Sequence, residues 1–304
     1  MEKIMLNGYK NQPFPVYQFE VVNPKAILIL VHGVAECAQR YEYVANYLNT
    51  HQINVYVADH IAHGPDTKQE SLGHWEKGDF DGCLKNVHTI YETMKKKYPN
   101  LPFYLLGHSM GSFMAQKYEY LYPKNFEGTI LTGCAKADFV FHFGRVFSSF
   151  VALFNKKDKR IPLIDNIAFG NFNKKFKPNK TNCDWLCKDE KICQWYQDTP
   201  YTGFVGTAGF YKEFYKNVSK IPNKKFKHLL NEDYPLLLLG GKEDMVSNRG
   251  KRFLKLVKYY QKQTKDLTYH LLDNIRHELF NEPEKDEILK ILSDWLNEKI
   301  KRYE

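Results

Sequence analysis

The chain of 304 residues predicts an α/β fold, a mostly parallel sheet covered by helices on both faces. Three observations lead there. Apolar runs suited to buried strands alternate with amphipathic segments of helix length; these runs end in polar or glycine-containing loops; and Gly107-His108-Ser109-Met110-Gly111 lies between one such run and one such helix. Strands separated by helices are joined by crossovers, which makes them parallel and puts helices on the sheet faces.

Residues 16–22, 26–31 and 53–58 read as strands, with a helical pattern at 41–51 between the last two. A helix at 80–98, a strand at 103–106, a helix at 112–122 and a strand at 128–132 continue the rhythm. It breaks near Asp138. From there to about Lys212 the chain is crowded with Phe, Trp, Tyr, Lys and Asn, and carries twelve Lys and Arg against seven Asp and Glu, a formal charge of +5. This segment reads as an insertion. Its stretches 139–143 and 147–154 carry aromatic stripes at helical spacing, for which packing against the core is expected ahead of substrate lining. Regular structure resumes with an apolar run at 234–239, a helix at 248–263, a strand at 267–272 and a helix at 284–300. The expected organisation is a core over 1–137 and 213–304, interrupted by a mainly helical insertion over 138–212.

The formal net charge of +9 favours anionic surfaces or partners. Lys95-Lys96-Lys97 and Lys224-Lys225 read as solvated helix faces, and no nucleic-acid motif accompanies them, so nucleic acid is not an expected partner. The N-terminus lacks the apolar stretch of a signal peptide, and the apolar runs are too short to span a bilayer. Six cysteines, at 37, 83, 134, 183, 187 and 193, lack the dense spacing of a disulfide framework. Reduced thiols and a cytoplasmic location are expected.

The Gly-x-Ser-x-Gly segment in its strand, turn, helix setting is a nucleophile elbow. A serine on so sharp a turn is strained, and a side chain at 107 or 111 would collide with its neighbours. Ser109 is therefore the candidate nucleophile. A serine hydroxyl requires a base to take its proton and a third group to orient that base. In this architecture the acid and the histidine follow the serine in the chain, each on a loop after a late strand. The loop after 236–239 offers Asp244, with Glu243 and Asp273 as rivals. The loop after 267–272 offers His277. Of the other histidines considered, His108 is fixed on the elbow, His32, His60 and His63 lie on early loops, and His270 lies within a strand. The oxyanion of a tetrahedral intermediate needs backbone donors, expected from Met110 and from Val34 on the loop after His32-Gly33. No cofactor or metal is expected. His277-Glu278 begins like a zinc-protease motif, but Asn281 stands where the second ligand belongs. Cys183, Cys187 and Cys193 fit no zinc spacing and read as free thiols on a helix.

Four segments carry a family resemblance: residues 32–41, 59–64, 107–111, and 240–246 together with Arg276-His277-Glu278. With their spacing they resemble the serine hydrolases of the α/β-hydrolase superfamily that include monoacylglycerol lipases and bacterial lysophospholipases. The insertion resembles that group's cap, notably at residues 184–186 and 201–204. The resemblance implies Ser109, Asp244 and His277 as a triad and the amides of Val34 and Met110 as the oxyanion hole. Two departures stand out. The family often has His-Gly-x-Gly-Glu-His where this chain has Ala35 and Cys37, and Asp-x-Arg-Gly-His-Gly where it has Ile61 and Ala62. The first could reshape the oxyanion loop, and the second removes an arginine that usually makes a salt bridge. The implied activity is hydrolysis of carboxylic esters through an acyl-enzyme, with single-chain lipids as substrates. Short or aromatic esters, amides or peptides are alternatives on the same scaffold, and a non-catalytic ligand-binding protein is the alternative of another class. Lys156-Lys157-Asp158-Lys159-Arg160 beside phenylalanines suggests that the insertion touches anionic membranes peripherally.

Overall fold

In the computed structural model, which describes residues 1–222 and 231–303, eight strands form one sheet in the order β1-β2-β4-β3-β5-β6-β7-β8. The strands are β1 (Glu2–Asn7), β2 (Pro13–Phe19), β3 (Ala26–Val31), β4 (Ile53–Ala58), β5 (Phe103–His108), β6 (Gly128–Thr132), β7 (Leu236–Gly241) and β8 (Leu267–Leu272). Pairing is parallel from β4 through β8, whereas β2 joins β4 antiparallel and β1 joins β2 antiparallel. The expected α/β architecture is borne out. β1 was not anticipated, because its alternation rests on Ile4 and Leu6 alone, both half-buried at the sheet edge. The expected strand at 16–22 instead ends at Phe19.

Period-two alternation builds two cores from single strands. Ile27, Ile29 and Val31 of β3 face the helices α2 (Asp79–Lys97), α3 (Met110–Leu121) and α8 (Lys251–Tyr260). Ala26, Leu28 and Leu30 face α1 (Glu42–Asn49) and α9 (Lys285–Ile300). Lys95, Lys96 and Lys97 close the last turn of α2, where cations oppose the negative end of the helix dipole. Lys224 and Lys225 lie outside the described residues.

The insertion is helical: α4 (Phe139–Phe154), α5 (Pro162–Ala168), α6 (Glu190–Asp198) and α7 (Ala208–Val218), which runs across residue 212. The two aromatic stripes are one continuous helix, α4, capped by Asp138. Phe141, Phe147 and Val151 pack toward the core. The opposite face does not pack: Phe139, Phe143, Phe150, Leu153 and Phe154 are exposed. Among the described residues no helix is long and apolar enough to cross a membrane.

Candidate active site

The elbow follows from its glycines. Ser109 links β5 to α3 with φ 52° and ψ −116°, a backbone state that costs a non-glycine residue about 1–3 kcal/mol. A Cβ at position 107 would stand 2.3 Å from the Gly111 carbonyl oxygen, and one at 111 would stand 2.0 Å from that of Val31. The tight packing of α3 on β3 and β5 is therefore available to glycine alone, and it lifts Ser109 above the carboxyl ends of the strands.

Asp244, on the turn after β7, and His277, on the loop after β8, both reach this point. His277 Nε2 lies 2.9 Å from Ser109 Oγ, and His277 Nδ1 lies 2.9 Å from Asp244 Oδ1. Asp244 is fully buried and also accepts from the Val246 amide. Burial disfavours ionisation of both groups, but their mutual attraction prevails, so Asp244 is held below the ordinary carboxylate value. His277 is likewise raised above the ordinary imidazole value, because Asp244, Glu278 and Glu36 outweigh its burial. A proton on Nδ1 shared with the carboxylate leaves Nε2 as the acceptor facing the serine hydroxyl. The rival acids point elsewhere: Asp273 pairs with Lys242 and Glu243 faces Arg276. Among the other histidines, His108 bonds Thr132 Oγ1, and His32 and His60 bond each other's backbone. Burial depresses His60 to about 4 and His63 to about 3, so both are neutral packing groups.

The two residues expected as oxyanion donors lie on either side of the serine turn, on the loop after β3 and at the start of α3. Val34 lines the cavity beside Ser109, and Met110 opens α3, where amides lack intrahelical acceptors. Ala35 adopts φ +54°, the left-handed state that glycine reaches freely, and its carbonyl accepts from Gly203 of the insertion at 2.8 Å. The departure at Ala35 thus leaves the loop's turn in place at some cost in strain. Cys37 is buried, its thiol pushed up to about 12 by burial and by Asp59. Ile61 stands where the family often has arginine and packs against the core.

A buried ion-pair network was missed from the sequence. Arg40 donates to Glu36 Oε2 at 2.9 Å and forms a two-pronged pair with Glu278, the neighbour of His277. Glu36 Oε1 in turn accepts from the Gly33 amide and the Tyr41 hydroxyl. Burial would push Glu278 up, but Arg40 overrides it and holds the carboxyl down at about 2. The four-residue spacing of Glu36 and Arg40 is a visible signal; the partner 238 residues away is not.

The insertion roofs this site as a cap. A cavity of about 390 Å³ lies between Ser109 and the cap, walled by Phe169, Trp185, Leu186, Phe204, Phe210 and Phe214 among others. No residue of α4 lines it. Cys183, Cys187 and Cys193 form a small apolar cluster with Leu186. Only Cys193 of the three sits on a helix, which corrects the helical placement expected of them. Among the described residues no group of three or more His, Cys, Asp or Glu side chains is arranged to hold a metal ion.

Residues 22–284 match the family model described as serine aminopeptidase, S33. The chain belongs to that family. Relatives of this S33 chain include a monoacylglycerol lipase of Mycolicibacterium smegmatis, 24% identical over 279 residues that cover 90% of this chain and 89% of that one. The monoglyceride lipase of Homo sapiens is 34% identical over 108 residues, 36% of this chain and 34% of that protein. Among solved structures, a thermostable carboxyl esterase from Bacillus coagulans in complex with glycerol gives a TM-score of 0.89 at 21% identity, with 98% of each chain covered. That likeness carries the fold across 98% of the chain.

Proposed function

We propose that this S33 chain is a serine carboxylic ester hydrolase acting through an acyl-enzyme, with single-acyl-chain lipids such as monoacylglycerols as its substrate class. The observation that carries the reading is the hydrogen-bonded chain Ser109, His277, Asp244 at the floor of an aromatic-walled cavity. His277 takes the Ser109 proton at Nε2 as Oγ attacks the ester carbonyl carbon. The oxyanion is received by the amides of Val34 and Met110. Collapse of the intermediate breaks the bond to the leaving alcohol, which takes the proton from His277, and water then repeats the cycle on the acyl-enzyme. The monoacylglycerol and monoglyceride lipases among the relatives support the substrate class.

An aminopeptidase, as the family description reads, needs a free anion to hold the substrate's amino group. Of the carboxylates on the cavity wall, Glu36 and Glu278 are already paired with Arg40, and Asp165, which burial discourages from ionising, accepts from the Tyr211 hydroxyl at 2.9 Å. This favours esters with apolar acyl chains. The exposed apolar face of α4 supports a further part of the reading, that the cap rests on a lipid surface from which substrate enters. The basic run beside it is partly engaged, since Lys157 pairs with Glu76 and Arg160 donates to the carbonyls of Val205 and Gln69. Apolar contact with the membrane is therefore expected to outweigh charge.

The test is fluorophosphonate labelling mapped by mass spectrometry, with hydrolysis of p-nitrophenyl esters from two to sixteen carbons. Labelling at Ser109 and a medium- or long-chain optimum are expected. A Ser109→Ala variant that keeps most of its esterase activity would overturn the mechanism, and a short-chain optimum would overturn the lipid assignment.

A further inference from the structure

The geometry points to Trp185, a residue of the cap, as a positioning residue for His277: its indole holds the imidazole toward Ser109 and favours the imidazolium formed when the serine proton arrives. This rests on the hydrolase reading above and adds a cap residue to the machinery.

The Trp185 and His277 rings stack at 5.4 Å between centroids, 29° from parallel. The indole also stacks on Phe169 at 5.9 Å and 13°, and Phe172 meets it edge-on at 5.2 Å. The placement is fixed from the backbone. Arg276 donates to the carbonyls of Asp184 at 2.6 Å and Cys187 at 3.0 Å, so the residue before His277 grips the residues on both sides of Trp185-Leu186. The Glu278 amide donates to the Leu186 carbonyl at 2.7 Å, and the Lys188 amide to Glu282 at 3.0 Å. The Trp185 amide itself donates to Asn173 Oδ1 at 3.0 Å. A wall that only enclosed an acyl chain would not need the histidine loop bound to it on both flanks.

An indole face attracts a cation through its quadrupole, whereas an aliphatic side chain of similar bulk supplies cover without attraction. The transferred proton turns a neutral imidazole into a cation, so the attraction is strongest on the way to the tetrahedral intermediate, and it acts on rate more than on binding. The other groups facing His277 are Ser109, Asp244, Glu278 and Glu36, the last two paired to Arg40, and the His108 ring at 5.0 Å, which burial and His277 itself keep neutral. Trp185 is the neighbour that the cap contributes.

The test compares Trp185→Phe and Trp185→Leu with the native enzyme in kcat, KM and pH profile on p-nitrophenyl esters. Trp185→Leu is expected to lose roughly ten-fold in kcat with a smaller change in KM. Its acidic limb should move to lower pH, because the cation has lost its partner. Trp185→Phe, which keeps a ring face, should recover most of the rate. A Trp185→Leu variant that changes KM alone with the acidic limb unmoved would reduce Trp185 to cavity wall and overturn the proposal. So would a Trp185→Phe variant as impaired as Trp185→Leu. Indole emission provides a readout without turnover, since a protonated imidazole in contact quenches it. The native spectrum minus that of Trp185→Phe should show a quenching step on acidification that His277→Gln abolishes. If the native protein neither labels with fluorophosphonate nor hydrolyses esters, the hydrolase reading fails while the titration still decides the stack; absence of the step overturns the proposal by itself.

Discussion

Arg40 grips Glu278 with both arms of its guanidinium while also bonding Glu36, and so joins the loop after β3 to the loop that carries His277. The same guanidinium lies 4.9 Å from the Tyr196 ring centre, on the cap helix α6. All three charged groups are buried. Removing one member strands charges that the interior cannot solvate. Arg40→Met is expected to cost about 3–5 kcal/mol of stability and to depress kcat through both loops. Arg40→Lys, which cannot reproduce the two-pronged pair, should fall between. Urea unfolding and initial rates on one ester check this, and an Arg40→Met enzyme of native stability would remove the network's structural role.

Acid inactivation is expected to be governed by His277. Only the neutral imidazole accepts the Ser109 proton, and its value is raised above the ordinary 6.5, so kcat/KM should fall as pH drops through that raised value. Asp244→Asn removes the carboxylate that raises it. The acidic limb should then shift to lower pH while the plateau falls by roughly ten-thousand-fold. Profiles of both proteins between pH 5 and 9 test the sign, and a limb that stays in place would assign the titration to another group.

Ala35 and Ser109 are two of the ten non-glycine residues that hold positive φ among the described residues. Ala35→Gly should stabilise the chain by about 1 kcal/mol and retain activity, because the amide geometry of the loop is kept. Ser109→Gly should also stabilise, by about 1–3 kcal/mol, while abolishing hydrolysis. Thermal melting of the two variants separates strain from chemistry. A loss of stability in either would mean that the side chain contributes more than its backbone costs.

Glu119, on the buried face of α3, accepts from the Thr129 hydroxyl, with Tyr234 beside it. Burial pushes its carboxyl up from 4.5 to about 7. A folded value above the unfolded one means that the contribution to stability is complete below 4.5 and lost as pH rises through 7. Glu119→Gln should therefore flatten the stability profile across that window and make the protein more stable above it by about 3 kcal/mol. Denaturant midpoints at pH 5 and 8 read the difference, and an unchanged slope would place the titration elsewhere.

Vesicle binding should follow the outward face of α4. Replacing Phe150 and Leu153, both exposed, with serine is expected to weaken sedimentation with liposomes by about ten-fold or more, from the apolar area withdrawn. Hydrolysis of a soluble short ester should stay native. High salt should weaken the native protein's binding only modestly, given that Lys157 and Arg160 are already engaged. Binding that vanishes in salt but ignores the double substitution would identify the lysines as the anchor instead.

The sequence by itself determined the α/β sheet, and it pointed to an insertion and to candidate reacting groups. Those signals are local: alternating apolar residues fix which face of a strand is buried, and Gly107 and Gly111 flank a turn that no larger residue could make. Chain order then limited Asp244 and His277 to two loops, and the structure brings both to Ser109 within hydrogen-bond reach. Local signals failed where partners are distant. The edge strand β1 takes its identity from pairing with β2 more than from its own two half-buried side chains. The outward face of α4 was read as packing because an aromatic stripe looks the same whichever way it points. The Arg40 network and the Trp185 stack join residues far apart in sequence, and each forms only when the chain brings its distant loops together at the strand ends. Their energies come from desolvation and ring geometry, which exist only in the assembled fold.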